Sequence, residues 1–168
     1  MLNWMSFPKN KEIEPHLLEI VRVMENKYAD YNSEHYTLKS NEVLNIVACD
    51  LELLGYRVEK GKKKNEKIHV PVLYELNGKT KLSFDVDAYC KKTKTVIEIE
   101  AGRAVDNYQF LKDFYQVCMM QSVDYLCVAV RNIYRTKKDF EKVCNFFDAL
   151  YLSNRMEIPL KGILILGY

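Results

Sequence analysis

Glycine and proline are scarce, with six and four residues in a chain of 168, and there is a single tryptophan. That composition excludes a collagen-like, low-complexity or disordered chain. Histidine is rarer still: His16, His35 and His69 stand without HxH or HExxH spacing, so no zinc site is expected. The five cysteines (Cys49, Cys90, Cys118, Cys127 and Cys144) contain no CxxC pair and are odd in number. Neither a disulfide framework nor a redox pair is expected, and their apolar neighbours mark them as small core residues. No apolar run reaches 18 residues, so no membrane span is expected, and Met1–Lys9 has no charged-then-apolar leader pattern, which points to a cytoplasmic protein. Neither sign of charge dominates: 25 Lys and Arg against 23 Asp and Glu leave a net charge of +2, a sum that does not announce a nucleic-acid binder.

What is present is an ordinary globular composition, 48% hydrophobic and 29% charged, of a length that suits one domain. Residues 1–10 read as a polar leader with a few apolar anchors. Pro15 opens a helix over 14–28, followed by a polar, aromatic loop to Lys39. Ser40 is a good N-cap for a helix over 41–54, which Gly55 ends in the left-handed conformation. A short strand, 56–59, leads into the basic loop Lys60–Lys67. The next segments read as strand 68–76, a turn at Asn77-Gly78, strand 82–90, a turn over Lys91–Lys94 and strand 95–100, a meander of three antiparallel strands. A helix over 104–121, a doubly covered strand 124–130, a helix 137–153 capped by Thr136, and a strand 163–166 complete the chain. The order predicts an α/β fold with a mixed central sheet flanked by helices.

The region from Leu82 to Glu100 carries the chemistry. Alternation on a strand puts Asp85 and Asp87 on one side, and Glu98 and Glu100 on one side of the next strand. A turn centred on Lys92-Thr93 pairs residues whose numbers sum to 185, opposing Asp87 to Glu98 and Asp85 to Glu100. Directly opposed like charges are destabilising, so four carboxylates on one patch call for a cation. Oxygen ligands without His or Cys favour a hard ion, Mg²⁺ or Mn²⁺. The competing reading of the same residues is the solvated face of an amphipathic hairpin.

Asp87 followed, after ten residues, by Glu98-Ile99-Glu100 on the adjacent strand resembles the PD-(D/E)XK nuclease superfamily, whose restriction-endonuclease-like core runs αβββαβ. The resemblance covers residues 40–130. Residues 1–39 would be an N-terminal extension with a helix, and 131–168 a C-terminal helix and strand. Two departures stand out: Val86 replaces the proline before the motif Asp, and Glu100 holds the lysine position, as in the E-x-E variant of BamHI-type restriction enzymes.

The resemblance implies hydrolysis of DNA phosphodiester bonds, with Asp87 and Glu98 as metal-binding carboxylates and Glu100 as the third catalytic residue. Glu42, near the start of the first core helix, fits a further metal-adjacent acid, or equally a favourable charge in a helix's first turn. Asp85 shares the acidic face without a family counterpart. Arg103 or Lys112 could supply the missing positive charge. Lys62, Lys63, Lys64 and Lys92 are candidate contacts to the phosphate backbone. Lysine-rich loops near the acids in sequence suggest an ion centre rimmed by cations. The partner expected is DNA, engaged by a monomer or a homodimer, without zinc or a membrane. The alternative is a nuclease-like fold that has lost catalysis and serves as a nucleic-acid- or protein-binding module.

Overall fold

A computed structural model describes residues 1–168. Its elements are β1 (Asn3–Phe7), α1 (Pro15–Asn26), the single turn α2 (Tyr28–Tyr31), α3 (Ser40–Leu53), β2 (Arg57–Val58), β3 (Ile68–Tyr74), β4 (Thr80–Val86), β5 (Ala88–Cys90), β6 (Thr95–Glu100), α4 (Gln109–Cys118), β7 (Tyr125–Val130), α5 (Asp139–Ser153) and β8 (Gly162–Gly167). Six strands form one sheet in the order β1-β8-β7-β6-β5-β2, and β3 and β4 form a separate two-stranded sheet. The centre is parallel, β6 with β7 and β7 with β8, and the flanking pairs are antiparallel. The expected mixed sheet with helices is thus present. No helix is long and apolar enough to cross a membrane.

Both faces of the sheet are covered, which explains why β6, β7 and β8 are nearly continuous apolar runs. Ile97, Ile99, Cys127, Ala129, Leu164 and Leu166 pack with the buried residues of α1 and α3. Val96, Val128, Val130, Ile163 and Ile165 pack with Phe110 and Phe114 of α4 and Val143 and Phe147 of α5. Each such Val, Leu, Ile or Phe side chain taken fully from water contributes about 1.5–3 kcal/mol. Alternation then assigns Glu98 and Glu100 to the α4 face.

Several expectations change. The N-terminal leader is a strand: β1 pairs antiparallel with β8 from Asn3↔Gly167 to Phe7↔Ile163, closing the edge of the sheet. Lys39, not Ser40, is the N-cap of α3, and Lys138, not Thr136, precedes α5. The helix expected from 104 starts at Gln109, after a loop that ends in Tyr108 at φ 52°. The three-strand meander is broken at Asp87. Residues 80–86 pair with β3, whereas 88–90 pair with β6. The register on the β6 side is the anticipated one, Ala88↔Ile97, Tyr89↔Val96 and Cys90↔Thr95. On the other side of the break, Asp85 lies opposite His69 rather than Glu100.

Candidate active site

Asp87 sits at the corner where the chain leaves one sheet for the other. Its carboxylate Oδ2 accepts a 2.7 Å hydrogen bond from the Ile99 N–H, and its own carbonyl accepts one of 2.8 Å from Glu59. The first bond places the side chain beside the stretch that carries Glu98 and Glu100. Glu98 is 8% exposed and Glu100 half-buried at the carboxyl end of β6. Across from them α4 contributes Asp113, 4% exposed, whose carboxyl is felt by that of Glu100. Gln109 Nε2 donates to Asp113 Oδ1 at 3.4 Å, and Lys112 Nζ lies 3.5 Å from the same oxygen. Asp113 Oδ2 is buried without a partner.

The electrostatics follow from this gathering. Burial pushes Asp87 up to about 7, against the opposing effect of the Ile99 hydrogen bond and with added repulsion from Glu59 and Asp113. Glu98 is held well above the ordinary carboxylate range by burial, then by repulsion from Asp87, Asp113 and Glu100. Glu100 is raised by burial and by Asp113, and Asp113 is raised by burial. The Lys112 ammonium works the other way on Asp87, Glu100 and Asp113. Burial and mutual repulsion drive these carboxyl groups toward keeping their protons.

Asp113 was not anticipated. Its signal is visible in retrospect: it lies on the apolar stripe Phe110, Phe114 and Val117 of α4, where a charge is costly without a role. Glu59, just past β2, whose N–H donates to the Asp87 carbonyl and whose charge is felt at Asp87, left no such mark.

Two anticipated acids do not join the cluster. Asp85 is engaged by Lys67 Nζ at 2.7 Å and by His69 Nδ1 at 2.6 Å, because its strand segment has turned away to pair with β3. Lys67 and His69 hold its carboxyl below the ordinary range although burial opposes them. Glu42 is exposed on α3, which packs on the opposite face of the sheet. Its Oε2 accepts a 2.7 Å hydrogen bond from the Lys39 N–H, closing the first turn of the helix.

The cations divide as well. Lys92 belongs to the turn before Thr95, at the far end of β6, whose Thr95 lies about 16 Å from Glu100 at the usual rise per residue. In that turn Lys94 pairs with Asp124. The proximity of this turn to the acids in sequence is therefore not proximity in space. Lys62, Lys63 and Lys64 lie on the loop that continues from Glu59, at the Asp87 end, and are exposed. Arg103 is exposed in the loop just past Glu100.

The donor set, oxygen only and with an unpartnered carboxylate oxygen at Asp113, fits a hard divalent cation in its chemistry. As the side chains stand, no group of three or more His, Cys, Asp or Glu is arranged to hold a metal ion. Asp87, Glu98, Glu100 and Asp113 are the residues that could close around one.

No family model matches the chain, and no curated protein matches it. Among solved structures, the chain is similar to the crystal structure of free BglII, at 9% identity and a TM-score of 0.48, over 99% of this chain and 78% of that one.

Proposed function

We propose that this chain is a metal-dependent nuclease that hydrolyses phosphodiester bonds in DNA, with Mg²⁺ or Mn²⁺ as its cofactor and a restriction-endonuclease-like core. The observation that carries the reading is the convergence of Asp87, Glu98, Glu100 and Asp113, drawn from a strand corner, one strand and one helix, into a buried patch that repels itself. A fold has no reason to concentrate that cost unless a cation offsets it.

Asp87, Glu98 and Asp113 would hold the ion. When bound, it supplies Lewis acidity, polarising a phosphoryl oxygen and making a water more acidic. Glu100 then serves as the proton acceptor, since its carboxyl stands at the open end of the strand beside Asp113. Lys112, exposed and within ion-pairing distance of Asp113, is an ammonium whose charge acts on Asp87, Glu100 and Asp113 and would meet the charge that develops on the phosphate. The exposed lysines 62–64 would steer the backbone toward the Asp87 end, and a homodimer would present two such centres to the two strands.

A second reading, a nuclease-like binding module without catalysis, draws on Glu100 at the position of the motif lysine and on the lack of a preformed three-ligand arrangement. Incubation of supercoiled DNA with the protein and Mg²⁺ or Mn²⁺, next to Glu98→Gln, separates the two. Nicking by the parent and not by the variant supports the enzyme. Binding without cleavage of duplex, branched or single-stranded DNA supports the module.

A further inference from the structure

The loops that follow β6 and β7 meet at the carboxyl end of the sheet, beside Glu100. In the second loop, Tyr134 and Lys137 exchange backbone hydrogen bonds of 2.8 and 2.9 Å, closing a two-residue turn with Arg135 and Thr136 at its tip. Arg135 has φ 58°, a left-handed conformation that disfavours a residue with a side chain. Its guanidinium carbon lies 5.2 Å from the centroid of the Tyr134 ring, and that of Arg131 lies 5.3 Å from the same ring. Arg131 is buried and donates to the Leu38 carbonyl at 2.6 Å, so it anchors the ring rather than reaching outward.

The turn is fastened to the first loop at two further points. The Tyr134 ring fills the space a Cβ would need at Gly102, two residues beyond Glu100 and itself at φ 103°. Lys137 is ion-paired with Asp106. Lys138 in turn pairs with Glu141. Arg135, between these, has no carboxylate within ion-pairing distance and is exposed, although its charge is felt at Asp106.

We infer that the turn Tyr134–Lys137 is a nucleic-acid contact in which Arg135 binds a backbone phosphate adjacent to the acidic centre, held in place by Tyr134. A planar guanidinium stacked on an aromatic ring and free of an acid partner is a preorganised fork for phosphate oxygens. The occupant is a polyanion and not a single small anion, because the turn borders the centre proposed to engage the scissile bond. Tyr134, already covered by guanidinium groups, is not a stacking platform for bases. The inference rests on the nuclease reading and extends it to a surface far from the lysines of residues 60–67 in sequence.

The test uses the full chain and fluorescein-labelled duplex DNA, with anisotropy read across roughly 50–200 mM salt. Arg135→Gly removes the guanidinium and relieves the left-handed backbone, so the fold is kept, and the thermal midpoint checks this. The variant is expected to bind severalfold more weakly and to show a plot of log K against log salt shallower by about 0.9, the share of one phosphate contact. Lys92→Ala, at the far end of β6, is expected to leave both unchanged. Binding by the parent with an unaltered slope in Arg135→Gly overturns the inference and leaves the nuclease reading standing. Absence of binding by the parent to the duplex, and to labelled single-stranded and branched DNA run alongside it, overturns both.

Discussion

The Asp87 carboxylate accepts its 2.7 Å hydrogen bond from the N–H of Ile99, the residue between Glu98 and Glu100. One backbone donor thus fixes the acid of one strand against the two acids of the next, while Ile99 itself points to the opposite face, into the core under α3. Asp87→Asn keeps an acceptor for Ile99 and removes the charge. It is expected to abolish DNA nicking, by at least about a hundredfold, and yet to raise the thermal midpoint at pH 8 without divalent ions. Nicking and thermal midpoint both unchanged would show that the side chain is only an acceptor for Ile99.

The pH dependence has a definite sign. An acid whose folded-state pKa is raised binds its proton more tightly in the folded protein than in the unfolded chain. Its contribution is therefore favourable at low pH and is lost as pH rises through the folded value. For Asp87 the window runs from about 4, the ordinary carboxylate range, to about 7. Glu98, Glu100 and Asp113 shift in the same direction and add to it. The metal-free protein is expected to unfold at a lower urea concentration at pH 8 than at pH 5.5, with Mn²⁺ restoring much of the loss at pH 8. A stability flat across this range contradicts the buried-acid account.

Lys112→Met keeps the aliphatic stem and deletes the ammonium that opposes the cluster. The expected result is a lower thermal midpoint at pH 8 with less change at pH 5.5, where Asp87 and Glu100 hold protons. Nicking activity is expected to fall with it. Equal destabilisation at both pH values would assign Lys112 a packing role instead.

Glu42→Ala separates the two readings of that residue. Loss of the bond to the Lys39 N–H should cost about 0.5–2 kcal/mol in a urea titration. Nicking per folded molecule should be unchanged. Activity lost out of proportion to stability would return Glu42 to the metal site.

Gly102→Ala would force a Cβ into the Tyr134 ring at a backbone angle that disfavours side chains. About 1–3 kcal/mol of destabilisation is expected. A melting curve that matches the parent would mean that the Tyr134 turn is not seated on the β6–α4 loop.

Local chemistry was enough to find the helices of 15–26, 40–53 and 139–153, the apolar strands β6 to β8, and the β5–β6 register. Each follows from periodicity, from capping or breaking residues, or from a short turn that leaves one way to pair. The same reasoning identified Asp87, Glu98 and Glu100 as carboxylates on neighbouring strands. It missed β1, because five residues at a chain end carry little pattern until β8 offers a partner. It missed the break at Asp87, because a strand that leaves one sheet for another keeps its alternation throughout.

That break decided the site. It sends Asp85 to Lys67 and His69, and the helix after β6 brings in Asp113, on the opposite side of the sheet from α3 and Glu42. Net charge behaves likewise. The value of +2 belongs to the composition. Which cations stand near the acids depends on which end of a strand each turn occupies, and the six residues of β6 carry the Lys91–Lys94 turn away while the Tyr134–Lys137 turn closes in. Alternation and turn length act between neighbours along the chain. Charge and metal affinity depend on distance through space, and only the packed sheet sets that.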